Sequence, residues 1–269
     1  MRISIYKKMI QVDNVSKIYK IKNSKNEKET IAINNISCKF CSGEITGLLG
    51  VNGAGKSTLL KMLSGNLVPS VTENLNSKIL IDSVDLYDNS LKDNTSLLKE
   101  KIGFVQELPS FYEDETVFEL LNFTVNFYYE EKNQAKQILE KLILQCNLTE
   151  VLNKKIKTLS KGYKQRLSFA VALSNNPEIL LLDEPVSGLD PIQINEIRNL
   201  ILNLKKNKTI ILSTHLMQEI DALCDKIIIL NKGKILAQGT EEEICKLHSC
   251  QNIEQAFLKL VKAEGVQNV

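Results

Sequence analysis

The stretch Gly50-Val51-Asn52-Gly53-Ala54-Gly55-Lys56-Ser57-Thr58 constrains the fold more than any other part of the chain. An apolar run of strand length, Glu44-Ile45-Thr46-Gly47-Leu48-Leu49, precedes it, and Leu59-Leu60-Lys61-Met62-Leu63-Ser64 comes after it with helical spacing. Strand, glycine-rich loop and helix, in that order, make the setting of a phosphate-binding loop, and the pattern Gly-x4-Gly-Lys-Ser is complete. Glycines at 50, 53 and 55 let the backbone turn where other residues cannot and bring its N–H groups to a ligand. The N-terminus of the helix adds partial positive charge that favours phosphate. Lys56 is placed to reach β- and γ-phosphates, and Ser57 to ligate magnesium. A plain glycine turn leading into a helix is the alternative, and the filled pattern with correct flanks weighs against it. The stretch reads as a nucleoside triphosphate site.

With 269 residues, the chain has room for one large α/β domain or two closely packed subdomains. Its 43% hydrophobic and 25% charged residues describe a globular protein with ample core material. Basic and acidic side chains number 34 and 32, so the net charge of +2 creates no global field for nucleic acid or anionic lipid. No apolar run reaches the length of a membrane span, and the start lacks a signal-peptide core. These features predict a cytosolic chain that is not itself inserted in a membrane and meets one only through a partner. Met9 is an alternative initiator, because the strand pattern begins at Ile10. Cys38 and Cys41, with Cys245, His248 and Cys250, would suffice for a zinc site if the two segments met. Cys38 in a strand-like segment and Cys41 at the following turn suit packing instead, so reduced thiols are expected.

The pattern Ile10-Gln11-Val12-Asp13-Asn14-Val15 alternates as a half-buried strand and runs on to an aromatic, Tyr19. Residues 22–30 are polar and aperiodic, which predicts a protruding loop before strand character returns at 31–33 and 36–40. A short strand at 78–82, a polar helix or loop at 90–101 and a strand at 102–106 ending on Gln106 come next. Residues 117–151 are helical in pattern, with Ala135, Ile138, Leu139, Leu142 and Ile143 on one face. Ser160 reads as the N-cap of a helix that buries Tyr163, Leu167, Ala170 and Val171 and stops near Asn175. The unbroken apolar run Ile179-Leu180-Leu181-Leu182 marks a strand buried on both faces of a parallel sheet. It ends in Asp183-Glu184, at the sheet edge where open α/β folds bind ligands. The run 209–215 repeats the arrangement and ends on His215, which taken alone is as readily structural as functional. A helix at 216–224, a hairpin turning at Gly233, a capped acidic helix from Thr240 and a final amphipathic helix at 253–261 complete the pattern.

Taken as an ordered series, these motifs resemble the ATP-binding subunit of an ABC transporter over about residues 10–240. The series comprises the phosphate loop, Gln106, the signature Leu159-Ser160-Lys161-Gly162-Tyr163, Asp183-Glu184, the loop Ser187-Gly188-Leu189-Asp190, and His215. The resemblance implies an α/β fold: a P-loop NTPase core with a mainly parallel sheet, an N-terminal antiparallel β subdomain and an inserted α-helical subdomain at about 107–175. Residues 241–269 would form a C-terminal helical extension. It implies ATP and Mg2+ as cofactors, with Ser57, Gln106 and Asp183 around the metal, Glu184 as general base, and His215 and Gln106 as further catalytic residues. Tyr19 matches the aromatic that stacks on adenine. Ser160, Gly162 and Asp190 would contact nucleotide held by a second protomer, so the implied partners are a second copy of the chain and an integral membrane permease. The implied work is ATP hydrolysis driving transport at the cytoplasmic face of the membrane, with the signature, Asp190-Pro191 and the helix at 192–202 resembling the drug, polysaccharide and gliding-type exporter branch. A soluble ATPase of the same type acting on another assembly is the alternative. Lys161 and Tyr163 replace the usual glycine and glutamine of the signature, and Ser83 stands where glycine is usual.

Overall fold

The computed structural model describes residues 9–23, 26–70, 76–88, 90 and 92–266. Ten strands are described: β1 (Met9–Asn23), β2 (Asn26–Cys41), β3 (Ile45–Leu49), β4 (Lys78–Ile81), β5 (Val84–Asp85), β6 (Ile102–Val105), β7 (Ile179–Asp183), β8 (Thr209–Thr214), β9 (Lys226–Asn231) and β10 (Lys234–Gly239). The helices are α1 (Lys56–Leu63), α2 (Lys92–Glu100), α3 (Val117–Tyr128), α4 (Lys132–Gln145), α5 (Lys161–Ala172), α6 (Pro191–Leu204), α7 (Met217–Leu223), α8 (Glu241–His248) and α9 (Ile253–Val266). The strands form two sheets. One is antiparallel, in the order β2-β1-β4-β5. The other runs β10-β9-β3-β8-β7-β6, and all its pairings are parallel except that of β10 with β9.

The continuous apolar runs are explained by the layers that cover each face of the parallel sheet. Leu180, Leu182, Ile210 and Leu212 point into a core shared with α3 to α6. Their neighbours Ile179, Leu181 and Ile211 point the other way, into a core shared with β1, β2 and α1. Side chains alternate along a strand, so a strand covered on both sides needs an apolar residue at every position. A third cluster joins Leu49, Ile227 and Ile229 to Ile220, Ile244 and Phe257 of α7, α8 and α9. Thr240 and Glu243 close a capping box at the start of α8, which fixes where that helix begins.

Two expectations fail locally. Residues 22–23 and 26–30 pair as strand rather than loop: past three register shifts between Val12 and Ile18, the β1–β2 ribbon runs in unbroken register from Ile18↔Ile31 to Asn23↔Asn26, and residues 24–25 lie outside the described residues. A two-stranded ribbon needs only backbone pairing there, so it carries no hydrophobic alternation to read. The register partners Lys20 and Glu29 support it with an ion pair of 3.0 Å. Helix α5 ends at Ala172, short of Asn175, and its buried set is broader than one stripe. Gln165, Ser168 and Phe169 are buried alongside Leu167 and Ala170, whereas Tyr163 and Val171 are only partly covered. A helix enclosed on several sides has no single apolar face.

At Ser83 the chain solves without glycine a turn that favours it. Asp82 and Ser83 have φ of 50° and 70° between the paired residues Ile81 and Val84, a two-residue hairpin with both φ positive. Phe169 is fully buried in the core beside α3 to α6. Phe169→Ala is expected to cost about 3–5 kcal/mol, read as a lower urea midpoint with unchanged slope.

Candidate nucleotide site

Three neighbouring strands deliver the site. Register pairs Leu49 with Thr214 and Asp183 with Ser213, so β3, β7 and β8 end at one level. The segments leaving these three ends therefore converge: the loop at 50–55, Glu184, and His215. Gly55 caps α1 with φ of 108°, a conformation that L side chains rarely adopt, and a Cβ there would lie 2.6 Å from the Ala32 carbonyl oxygen. The β2 backbone thus presses the loop from outside. Val51, Asn52 and Gly53 are exposed, while Ala54, Gly55 and Lys56 are buried.

Lys56 folds over this loop. Its ammonium donates to the Gly50 carbonyl at 2.8 Å and lies 3.2 Å from Glu184 Oε1. The other carboxylate oxygen, Oε2, lies 2.9 Å from His215 Nδ1. Lys56 and Glu184 are buried, and the His215 side chain is 43% exposed. Beside them, Asp183 Oδ1 accepts from Ser57 Oγ at 2.9 Å and from Ser213 Oγ at 2.7 Å. One hydroxyl and one carboxylate at the head of α1 suit magnesium, which takes few protein ligands and completes its shell with water and substrate phosphates. Thr58 is half-buried in the first turn of α1. Gln106 is exposed just after β6, whose last residue Val105 pairs with Leu182 on the Asp183 strand.

Glu184 itself has φ of 46°, a left-handed conformation uncommon for a residue with a side chain and typical of functional sites. Its N–H donates to the Ser213 hydroxyl at 3.0 Å and to the Ser213 carbonyl oxygen at 3.2 Å. Ser213 therefore holds both carboxylate residues, and motif reading missed it. The available signal was a serine inside an apolar strand, two residues before His215.

Tyr19 is 39% exposed on β1, with the Lys17 ammonium 5.6 Å from its ring centre. Lys17 pairs with Ile33, whose side chain borders Gly55, so Tyr19 stands on the strand beside the phosphate loop.

Ser160, Gly162 and Asp190 form a separate group. Ser160 is the exposed N-cap of α5, accepting from the Tyr163 N–H at 3.4 Å. Asp190 caps α6 by accepting from the N–H groups of Ile192 and Gln193, each at 3.0 Å. A Cβ on Gly162 would sit 2.5 Å from the Gln193 terminal amide, so a side chain there would push that amide aside. Lys161 lies against Gly188, and Arg166 pairs with Glu196. Ser187 Oγ donates to Glu107 at 3.2 Å, linking this group to the residue after Gln106. Among the described residues no hydrogen bond or ion pair joins Ser160, Gly162 or Asp190 to residues 50–58.

The zinc arrangement that the cysteine spacing allows has no counterpart among the described residues, where no three His, Cys, Asp or Glu side chains group as a metal requires. Burial pushes the Cys38 thiol up to about 12, with Asp13 adding to the effect.

Ser213→Ala leaves the Asp183 carboxylate and the Glu184 N–H each one partner short. It is expected to lower stability by about 1–3 kcal/mol in urea unfolding and to slow ATP hydrolysis.

A family model described as ABC transporter matches residues 33–187. An uncharacterised ABC transporter ATP-binding protein of Methanocaldococcus jannaschii is 34% identical over 241 residues, covering 89% of this chain and 80% of that protein. The linearmycin resistance ATP-binding protein of Bacillus subtilis is 36% identical over 238 residues, covering 88% and 71%. Among solved structures, a dimeric ATP-binding cassette in a post-hydrolysis state with ADP and Pi superposes with a TM-score of 0.75. It is 26% identical, and the match covers 86% of this chain and 98% of that one. Phosphate loop, paired carboxylates, His215 and these relatives agree: the chain belongs to the ABC transporter family as an ATP-binding, ATP-hydrolysing subunit that drives transport.

Proposed function

We propose that ATP binds with its phosphates on residues 50–58 and its adenine against Tyr19, and that Glu184 is the base for its hydrolysis. The observation that carries this reading is the contact chain Lys56–Glu184–His215 beside Ser57–Asp183–Ser213. Lys56 leaves Glu184 for the incoming phosphates, which frees a carboxylate oxygen to take a proton from water. His215, already on Oε2, orients that carboxylate and steadies the γ-phosphate. Magnesium, held by Ser57 and Asp183 with Gln106 at its edge, would supply charge neutralisation at the β- and γ-oxygens. Catalysis of this kind rests on positioning and electrostatics rather than a covalent intermediate.

Ser160, Gly162 and Asp190 serve the nucleotide of a second copy of the chain. The exposure of Ser160 and Asp190 and the separation of all three from residues 50–58 support this, since an N-cap serine and free N–H groups at a helix start suit an anion arriving from outside. The cassette spans residues 10–240, with its helical subdomain at about 107–175 and a C-terminal helical extension at 241–269. No described helix is long and apolar enough to cross a membrane. Its membership of the ABC transporter family supports work at the cytoplasmic face of a separate permease, and its likeness to a linearmycin resistance ATP-binding protein supports export.

Glu184→Gln is expected to bind ATP yet hydrolyse it at least ~100-fold more slowly and to accumulate as a dimer on size exclusion. Wild-type turnover by that variant would remove Glu184 from the mechanism. Specific activity should fall on dilution as the dimer dissociates; a value constant to high dilution would sink the shared site. Recovery of a polytopic partner from detergent-solubilised membranes tests the permease.

A further inference from the structure

A second cleft, of about 620 Å³, opens between α4 and the far end of the parallel sheet. Gln134, Lys141 and Gln145 of α4 form one wall, and Asn203, Asn207 and Lys208 line the facing side. Glu178 and Lys208, which also line it, directly precede β7 and β8. The cleft therefore lies at the amino ends of the strands whose carboxyl ends carry Asp183 and Ser213. Its volume falls within the range of small-molecule sites, about 300–1,000 Å³.

Lys208 makes the cleft unusual. Only 6% of the residue is exposed, yet its ammonium donates to neutral acceptors alone: the Pro177 carbonyl and, at 3.2 Å, Asn176 Oδ1. Among the described residues no carboxylate comes within ion-pair distance of it. Buried lysines are nearly always paired, because an uncompensated charge away from water is costly. Burial and then the charge of Lys141 hold its pKa below the usual lysine range, with Glu178 opposing more weakly. An ammonium has three N–H donors, and Lys208 uses two.

We propose that this cleft binds a small phosphate monoester bridging Lys141 and Lys208. The phosphate takes the remaining N–H of Lys208 and the ammonium of Lys141, and the amide side chains hydrogen-bond its organic part. Two separate ammonium groups suit a dianionic phosphate, whereas a carboxylate is matched best by an arginine fork. The bound anion would tie α4 to the nucleotide core and compensate the buried charge.

The test is calorimetric titration of the full chain with glycerol 3-phosphate, under saturating Mg-ADP so that the phosphate loop is filled. Saturable binding with Kd of about 1 mM or tighter is expected. Loss of one charge-assisted contact should weaken it at least ~10-fold in Lys141→Ala and in Lys208→Met. Lys141 is exposed, so its variant keeps the fold and decides the matter even if Lys208→Met does not fold. A parallel titration with vesicles bearing phosphatidic acid distinguishes the source. Lys141-dependent binding to vesicles but not to glycerol 3-phosphate supports the site with a lipid headgroup as its ligand. Absence of saturable binding to either probe, or affinity unchanged in Lys141→Ala, overturns the proposal.

Discussion

Everything at the nucleotide site depends on the register of three parallel strands. β3, β7 and β8 end level because Leu49 pairs with Thr214 and Asp183 with Ser213. A slip of one residue would turn Asp183 to the opposite face and separate it from both Ser57 and Ser213. The two cores that clamp the sheet prevent that slip, since alternate residues of β7 and β8 are claimed by opposite layers. Packing far from the chemistry thus sets the 2.9 Å between Ser57 and Asp183.

A second constraint is the block formed by the starts of α5 and α6. Gly162 beside Gln193, Lys161 beside Gly188 and the Arg166–Glu196 ion pair join the starts of the two helices through side chains. Ser187 and Glu107 extend the block to the neighbourhood of Gln106. The unusual Lys161 gains a structural use here that the family resemblance does not supply.

How much could be read from the sequence depended on whether a residue's partner lay nearby in the chain. The phosphate loop was legible because its glycines, lysine and serine act within nine consecutive residues. Strands β7 and β8 were legible because burial on both faces leaves unbroken apolar runs. Ser213 was not, because its two partners sit 30 and 29 residues away and only the sheet register brings them to it. The outer β1–β2 ribbon was also hidden, since pairing by backbone alone writes no side-chain pattern at 22–30. Lys208 reads in sequence as one of several surface lysines, and only the packing of 176–178 around it removes it from water.

The contact between Lys56 and Glu184 sets the electrical state of the nucleotide-free chain. A buried ammonium and a buried carboxylate neutralise each other, and removing either leaves a charge stranded away from water, typically a cost of about 3–5 kcal/mol. The pair can therefore part only when another anion takes the lysine. Under the proposed role of Glu184 as base, its proton-accepting oxygen stays engaged until phosphate arrives, and the site would be self-quenched at rest. Substrate entry and activation of the base become a single exchange of partners at one ammonium, and an anion too small or too weakly charged to hold Lys56 leaves the base switched off.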